Sequence, residues 1–320
     1  MLVFTLSLVI TALLEKNLIP TLRKFARQPI YEEGPAWHSK KSGTPTMGGI
    51  AFLISIILTL TTATVFLFMR GDTDSGISMI ITLAFCTLNA AVGIIDDMAK
   101  LKRQKNEGGL TPTEKLILHF LLAGGFVAAR ALLLGDPTEI SFSFGNVELG
   151  FLYYPISVIL IVGIINSANL TDGIDGLASG VAFSVGVSLF YIACAISEEV
   201  SFVAAAIIGA SVGFLIFNLH PAKVFMGDTG SLFFGALATS AVFALKNPFL
   251  ILCIGGIYVI EGASVIIQVL YFKITKRRLF KMSPIHHHLE RCGWSENTIC
   301  IVAILLTFIF SIPAYILYLP

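Results

Sequence analysis

Charge is what this sequence has least of. Only 13% of its 320 residues are Asp, Glu, Lys or Arg, against roughly a quarter in ordinary soluble domains. Mean hydropathy is +0.86. The length would allow two soluble domains, but no polar half exists to be one of them. Acids and bases nearly cancel, 20 against 21 for a net +1, which gives no electrostatic footing for a nucleic-acid partner. Cysteine is also sparse. Cys86, Cys194, Cys253, Cys292 and Cys300 form no CxxC pair, so neither a disulfide framework nor a zinc ribbon is indicated. There is no low-complexity linker and no internal repeat, and one domain over 1–320 is expected.

What is present is a series of long uncharged runs: 47–69, 77–95, 149–171, 176–197, 201–219, 229–245 and 297–320. A helix crosses a bilayer with about 20 such residues. Three further runs complete a set of ten: the N-terminal stretch to about Ile19, 115–134, and 247–272 with Glu261 inside it. The expected fold is an all-α polytopic membrane protein of about ten spans. The first run has no basic residues ahead of it, so it reads as a span and not as a leader peptide. Lys and Arg divide unevenly: 18 of 21 fall in odd-numbered loops, leaving Arg70, Arg130 and Lys246 in the even ones. Basic loops stay cytoplasmic, so both termini are expected outside.

The unusual polar residues gather on the cytoplasmic face. "NLTDGIDGLAS" sets Asp172 and Asp175 between two apolar spans, where charge is costly and usually functional. Asn166, Asn169 and Asp172 recur every three residues and could share one helix face, while Asp175 could equally cap the next helix. Asp96 and Asp97 close the third span, at the negative end of a helix macrodipole, where a cation or the nearby Lys100 would relieve them. Asp228 opens the eighth span and taken alone reads as an N-cap. "HSKKSGTPTMGGI" carries Lys41 and an expected N-cap Thr46. "SPIHHHLE" holds His286, His287 and His288, which as neighbours cannot all face one ion. Carboxylates beside Lys and His fit Mg²⁺ with phosphates, and lipid-facing spans beside such a site imply that one phosphate is a lipid's.

These segments together resemble the bacterial phospho-N-acetylmuramoyl-pentapeptide transferase family. The resemblance rests on "GTPTMGG" at 43–49, "DDMAK" at 96–100, "NLTDGIDGLASG" at 169–180, "FMGDTGS" at 225–231, "IEGASVIIQV" at 260–269 and "PIHHHLE" at 284–290. It implies Mg²⁺-dependent transfer of a phosphosugar from UDP-N-acetylmuramoyl-pentapeptide to undecaprenyl phosphate, giving lipid I and UMP in peptidoglycan synthesis at the bacterial cell membrane. It implies an acidic triad of Asp96, Asp97 and Asp228, with Asp228 the leading metal ligand. Asp97 is left as either a base toward the lipid phosphate or a second ligand. Lys41, Lys100 and Lys115 would offset phosphate charge, and Thr46, Asn166, Asn169, Asp172, Asp175 and Glu261 would line the substrate pocket. Phe225 could stack on uracil, and His286, His287 and His288 would complete the catalytic edge. The resemblance leaves room for a homodimer. Related polyprenyl-phosphate N-acetylglucosamine-1-phosphate transferases share the acidic motifs and form the alternative reading. An ion-coupled transporter is the remote one, since its acids would lie mid-span.

Overall fold

A computed structural model describes residues 1–26, 41, 43–103 and 109–318. Among these residues, ten helices of 17 or more residues follow the expected apolar runs: α1 Leu2–Phe25, α2 Gly49–Met69, α3 Thr73–Arg103, α4 Pro112–Leu134, α5 Tyr153–Thr171, α6 Leu177–Ala193, α7 Glu198–Asn218, α8 Gly227–Ala244, α10 Gly256–Thr275 and α12 Glu296–Tyr318. Two short helices, α9 Leu250–Ile254 and α11 Ile285–Arg291, complete the order. Among the described residues, eight helices are long and apolar enough to span a bilayer. Of the other two, α6 is a 17-residue apolar helix and α8 opens on the polar turn Gly227–Asp228–Thr229. The protein is an all-α polytopic membrane protein.

Helix limits follow local chemistry. The N-terminus of α4 is a capping box: Thr111 Oγ1 accepts the Glu114 N–H while the Glu114 carboxylate accepts the Thr111 N–H. Ser197 caps α7. Two differences from the expected elements stand out. The ninth run is two helices, α9 and α10, interrupted at Gly255. The even loop before α5 holds an antiparallel hairpin, β1 Glu139–Phe142 and β2 Gly145–Glu148, too short and polar to show as a strand pattern. That end also carries a buried tie, Arg130 to Asp136 and to Ser78, which pins α4 to the hairpin approach and to α3.

Apolar side chains lie both inside and outside, as lipid solvent allows. Leu132 is 84% exposed and Ile274 83%, whereas α8 is buried along almost its whole length. Small residues in α8 let α3, α5 and α2 approach it. At Gly93 of α3 a Cβ would collide with the backbone of Asp228 and Thr229, so this contact brings the third helix's acids against the eighth helix's first turn. Phe52 braces the centre, stacked on Phe234 at 4.4 Å and edge-on to Phe214 at 5.2 Å.

Candidate active site

Where α3 meets α8, three carboxylates converge. One oxygen from each of Asp96, Asp97 and Asp228 lies within 4.8 Å of the others. Asp228 is not the cap of its own helix, contrary to the sequence expectation. The cap comes from across the interface: Asp97 accepts the N–H groups of Asp228 (3.1 Å) and Thr229 (3.0 Å) and the Thr229 hydroxyl (2.7 Å). Gly227 has φ +70, and a Cβ there would strike the Asp97 carboxylate, so only glycine lets this acid reach the helix start. Asp96 is fully buried and accepts the Leu110 N–H at 2.7 Å. Lys115 bridges Asp96 and Asp228 at 2.6 Å each, and Lys100 does so at 2.7 and 3.3 Å. Of the three acids Asp228 is the most accessible, its side chain 15% exposed against 0% for Asp96.

A second charged group lies nearby. Asp175 accepts Lys41 Nζ at 2.7 Å, the Ala222 N–H at 3.0 Å, and faces His220 Nδ1 at 2.9 Å. Glu296 takes Lys41 Nζ at 2.6 Å and the Asp175 N–H at 2.8 Å. Between the two groups stands Asp172, the C-cap residue of α5. Burial, then the negative charges of Asp228, Asp97 and Asp175, push its carboxyl up to about 8. The raised value favours the neutral form of this carboxyl. Folding stability from this group is therefore full below the unfolded value of about 3.9 and is lost as pH rises through about 8. Asp172→Asn mimics the neutral form. Its melting temperature relative to the parent is expected to climb between pH 4 and 8 and then level off. A constant difference across that range would contradict the assignment.

The histidines divide three ways. His286 is buried and pairs through Nδ1 with Glu261 Oε2 at 3.0 Å. Its Nε2 has no hydrogen-bond partner among the described residues and lies against Gly173, where any Cβ would overlap it. His287 pairs with Glu290 at 2.6 Å, and His288 accepts the Lys281 N–H at 3.1 Å. Thr46 is buried beside Gly227 and its N–H donates to Ala26 O. It does not cap α2, whose N-cap is Gly48. The "GTPTMGG" and "FMGDTGS" segments are laced together: the Phe225 N–H donates to Pro45 O, and the Gly48 N–H to Phe225 O. Asn169 reaches Ser231 at 2.8 Å, while Asn166 bonds back to Val162 O within α5.

Comparison with known proteins decides the family. The sequence matches Glycosyl transferase family 4 over residues 79–246 and the Phospho-N-acetylmuramoyl-pentapeptide-transferase signature 1 over residues 41–53. It is 39% identical over 312 residues to the Phospho-N-acetylmuramoyl-pentapeptide-transferase of Caldicellulosiruptor bescii, covering 97% of this chain and 94% of that one. The chain belongs to the phospho-N-acetylmuramoyl-pentapeptide transferase family. The relative in Halalkalibacterium halodurans is 42% identical over 92% of this chain and 90% of its own, and that in Clostridioides difficile 40% over 92% and 89%. Its apolar helices and this family make it a multi-pass protein of the bacterial cell membrane.

The transferase motifs found in the sequence thus meet in space. Asp96, Asp97, Asp228, Lys100 and Lys115 form one group, with Asp172 adjoining. Lys41 and Asp175 form the second, Glu261 and His286 a third. Four participants were not singled out from sequence: Thr229, His220, Glu296 and Asn218, whose Oδ1 accepts the Gly176 N–H and the Ser179 hydroxyl. Thr229 was legible as the neighbour of Asp228. Asn218 ends α7, Glu296 opens α12 and His220 lies in the loop before "FMGDTGS", and no spacing marked any of the three.

Proposed function

We propose that the transferase reaction runs at the Asp96–Asp97–Asp228 group, moving phospho-N-acetylmuramoyl-pentapeptide from its UDP donor to undecaprenyl phosphate. The observation that carries this reading is the meeting of three carboxylates and two ammonium groups at one buried helix junction. An oxygen-only donor set beside a side-chain-free Gly227 fits a hard divalent cation such as Mg²⁺. Asp228, the most accessible acid, would hold it, with Asp97 as a second ligand. When bound, such a cation neutralises charge on the phosphates, which is most of what phosphoryl transfer requires. An oxygen of the lipid phosphate forms the new bond to the sugar-linked phosphorus, the bond to the UMP oxygen breaks, and UMP leaves with that electron pair. Lys100 and Lys115 each bridge Asp96 and Asp228 and can turn toward incoming phosphates. Asp97 fixes the start of α8 and has lone-pair capacity left to take a proton from the lipid phosphate. Lys41, Asp175 and Phe225 receive the nucleotide.

The test is purified protein with the muramoyl-pentapeptide donor, undecaprenyl phosphate and Mg²⁺. UMP and lipid I are expected, with no turnover when UDP-N-acetylglucosamine replaces the donor or EDTA removes the cation. Turnover of the N-acetylglucosamine donor alone would move the chain to the sibling activity. The grouping of Asp96, Asp97, Asp172, Asp175 and Asp228 at one end of the bundle supports transfer over transport.

The site faces the cytoplasm in a ten-span arrangement with both termini outside. Two natural cysteines report on this. Cys194 follows α6 and Cys292 follows α11, and both are exposed. A membrane-impermeant thiol reagent on intact cells is expected to modify Cys194 and spare Cys292 until the membrane is opened. Labelling of Cys292 first would invert the topology.

A further inference from the structure

Glu296 stands at the start of α12, 121 positions from Asp175 and 255 from Lys41, yet it touches both of these residues of the nucleotide end. One oxygen, Oε2, accepts both Lys41 Nζ at 2.6 Å and the Asp175 N–H at 2.8 Å. Its other oxygen lies 3.7 Å from His220 Nδ1. The carboxylate is 12% exposed and faces an Asp175 side chain that is 2% exposed. Helix formation does not explain it. The N-terminus of α12 is served by Ser295, whose hydroxyl accepts the Thr298 N–H at 3.2 Å. A metal does not explain it either. Asp175, His220 and Glu296 have ligand atoms within 4.8 Å of one another, but the Lys41 ammonium already lies between the two carboxylates as their cation.

We infer that Glu296 is a positioning residue for donor binding: it holds the Lys41 ammonium and the Asp172–Gly176 turn in the arrangement that receives the nucleotide. The physical case is one of reach and number. Lys41 carries a flexible four-carbon stem, and a single carboxylate at Asp175 would leave its head free to rotate. Two carboxylates, each within 2.7 Å, fix it. The same Glu296 oxygen takes the Asp175 N–H, so ammonium and turn are set by one group. Asp175 keeps its own carboxylate aligned by the Ala222 N–H. Binding energy for an anionic nucleotide then does not have to order the lysine first.

This inference rests on the reading of Lys41 as a donor contact, and the experiment separates the two. Steady-state kinetics with the donor and the lipid varied independently are measured for Glu296→Gln, Lys41→Met, the double variant and Ser295→Ala. Gln keeps shape and an acceptor for the Asp175 N–H but removes the charge. Glu296→Gln is expected to raise the donor KM about ten-fold, the scale of one lost charged hydrogen bond, with kcat and the lipid KM within about two-fold. The double variant is expected to be no worse than Lys41→Met alone, since the two act as a unit. Glu296→Asp is expected to recover part of the loss. Ser295→Ala, which removes only the cap, should lower the melting temperature and leave the donor KM alone. If Lys41→Met raises the donor KM and Glu296→Gln does not, or if the two effects multiply, the positioning role is wrong while the donor reading stands. If Lys41→Met leaves the donor KM unchanged, the donor reading itself fails and takes this inference with it.

Discussion

Asp228→Asn is expected to abolish turnover, by roughly 10³-fold or more as for loss of a central electrostatic group, in a protein that still folds. The structure supports both halves. Asp228 is the most accessible of the three converging acids, and it makes no cap bond to its own helix. The first-turn N–H groups of α8 are satisfied by Asp97 instead. Lys100 and Lys115 would keep Asp96 as a partner after the substitution. What is lost is an acid near a helix N-terminus, a term of about 1 kcal/mol or less. Melting temperature and turnover should therefore separate. A near-normal rate at saturating Mg²⁺ would show that Asp228 is not the metal ligand.

Asp97→Asn should cost both rate and stability, and in this it differs from Asp228→Asn. The Asp97 carboxylate accepts two backbone N–H groups and one hydroxyl. An amide in its place must turn an NH₂ toward at least one of those donors. The expected destabilisation is about 1–3 kcal/mol from the buried mismatch, and the rate should fall by about 10²–10⁴ if its remaining lone pair also serves as base. Added Mg²⁺ should not restore it. Thermal melts and pH–rate profiles over a range of Mg²⁺ check this. A base role flattens the acidic limb of the profile. Recovery at high Mg²⁺ would make Asp97 chiefly a ligand, and an unshifted melt would remove its structural role.

The helices were largely legible because bilayer thickness sets their length, and the runs from 47–69 to 297–320 carry that length openly. The break at Gly255 and the hairpin at Glu139–Glu148 were not. The first lies in an apolar run where period and composition do not change. The second is four residues a side. Within the site, Asp96, Asp97, Asp172, Asp175 and Asp228 stood out because acids beside lipid are expensive. Their roles did not. Asp228 at the opening of its span suggested a self-capped helix, whereas the capping acid, Asp97, is 131 positions away. Only the close approach of α3 and α8 at Gly93 makes that pairing possible. Glu296 and His220 were invisible for a similar reason: a charged residue at the end of a span looks like ordinary solvated loop until the fold sets it against Lys41 and Asp175. The three adjacent histidines each have a different partner.

Among the described residues, two groups of side chains have the spacing to take a cation: Asp96, Asp97 and Asp228 at the α3–α8 junction, and Asp175, His220 and Glu296 around Lys41. Mn²⁺ is a spectroscopically visible substitute for Mg²⁺ at all-oxygen sites. Titration of the purified protein with Mn²⁺, followed by electron paramagnetic resonance of the free ion, counts what is bound. One tight Mn²⁺ per chain is expected, unchanged in Glu296→Gln and lost in Asp228→Asn. Retention of the bound ion in Asp228→Asn, with its loss in Glu296→Gln, would contradict the assignment of the reaction centre to the α3–α8 junction.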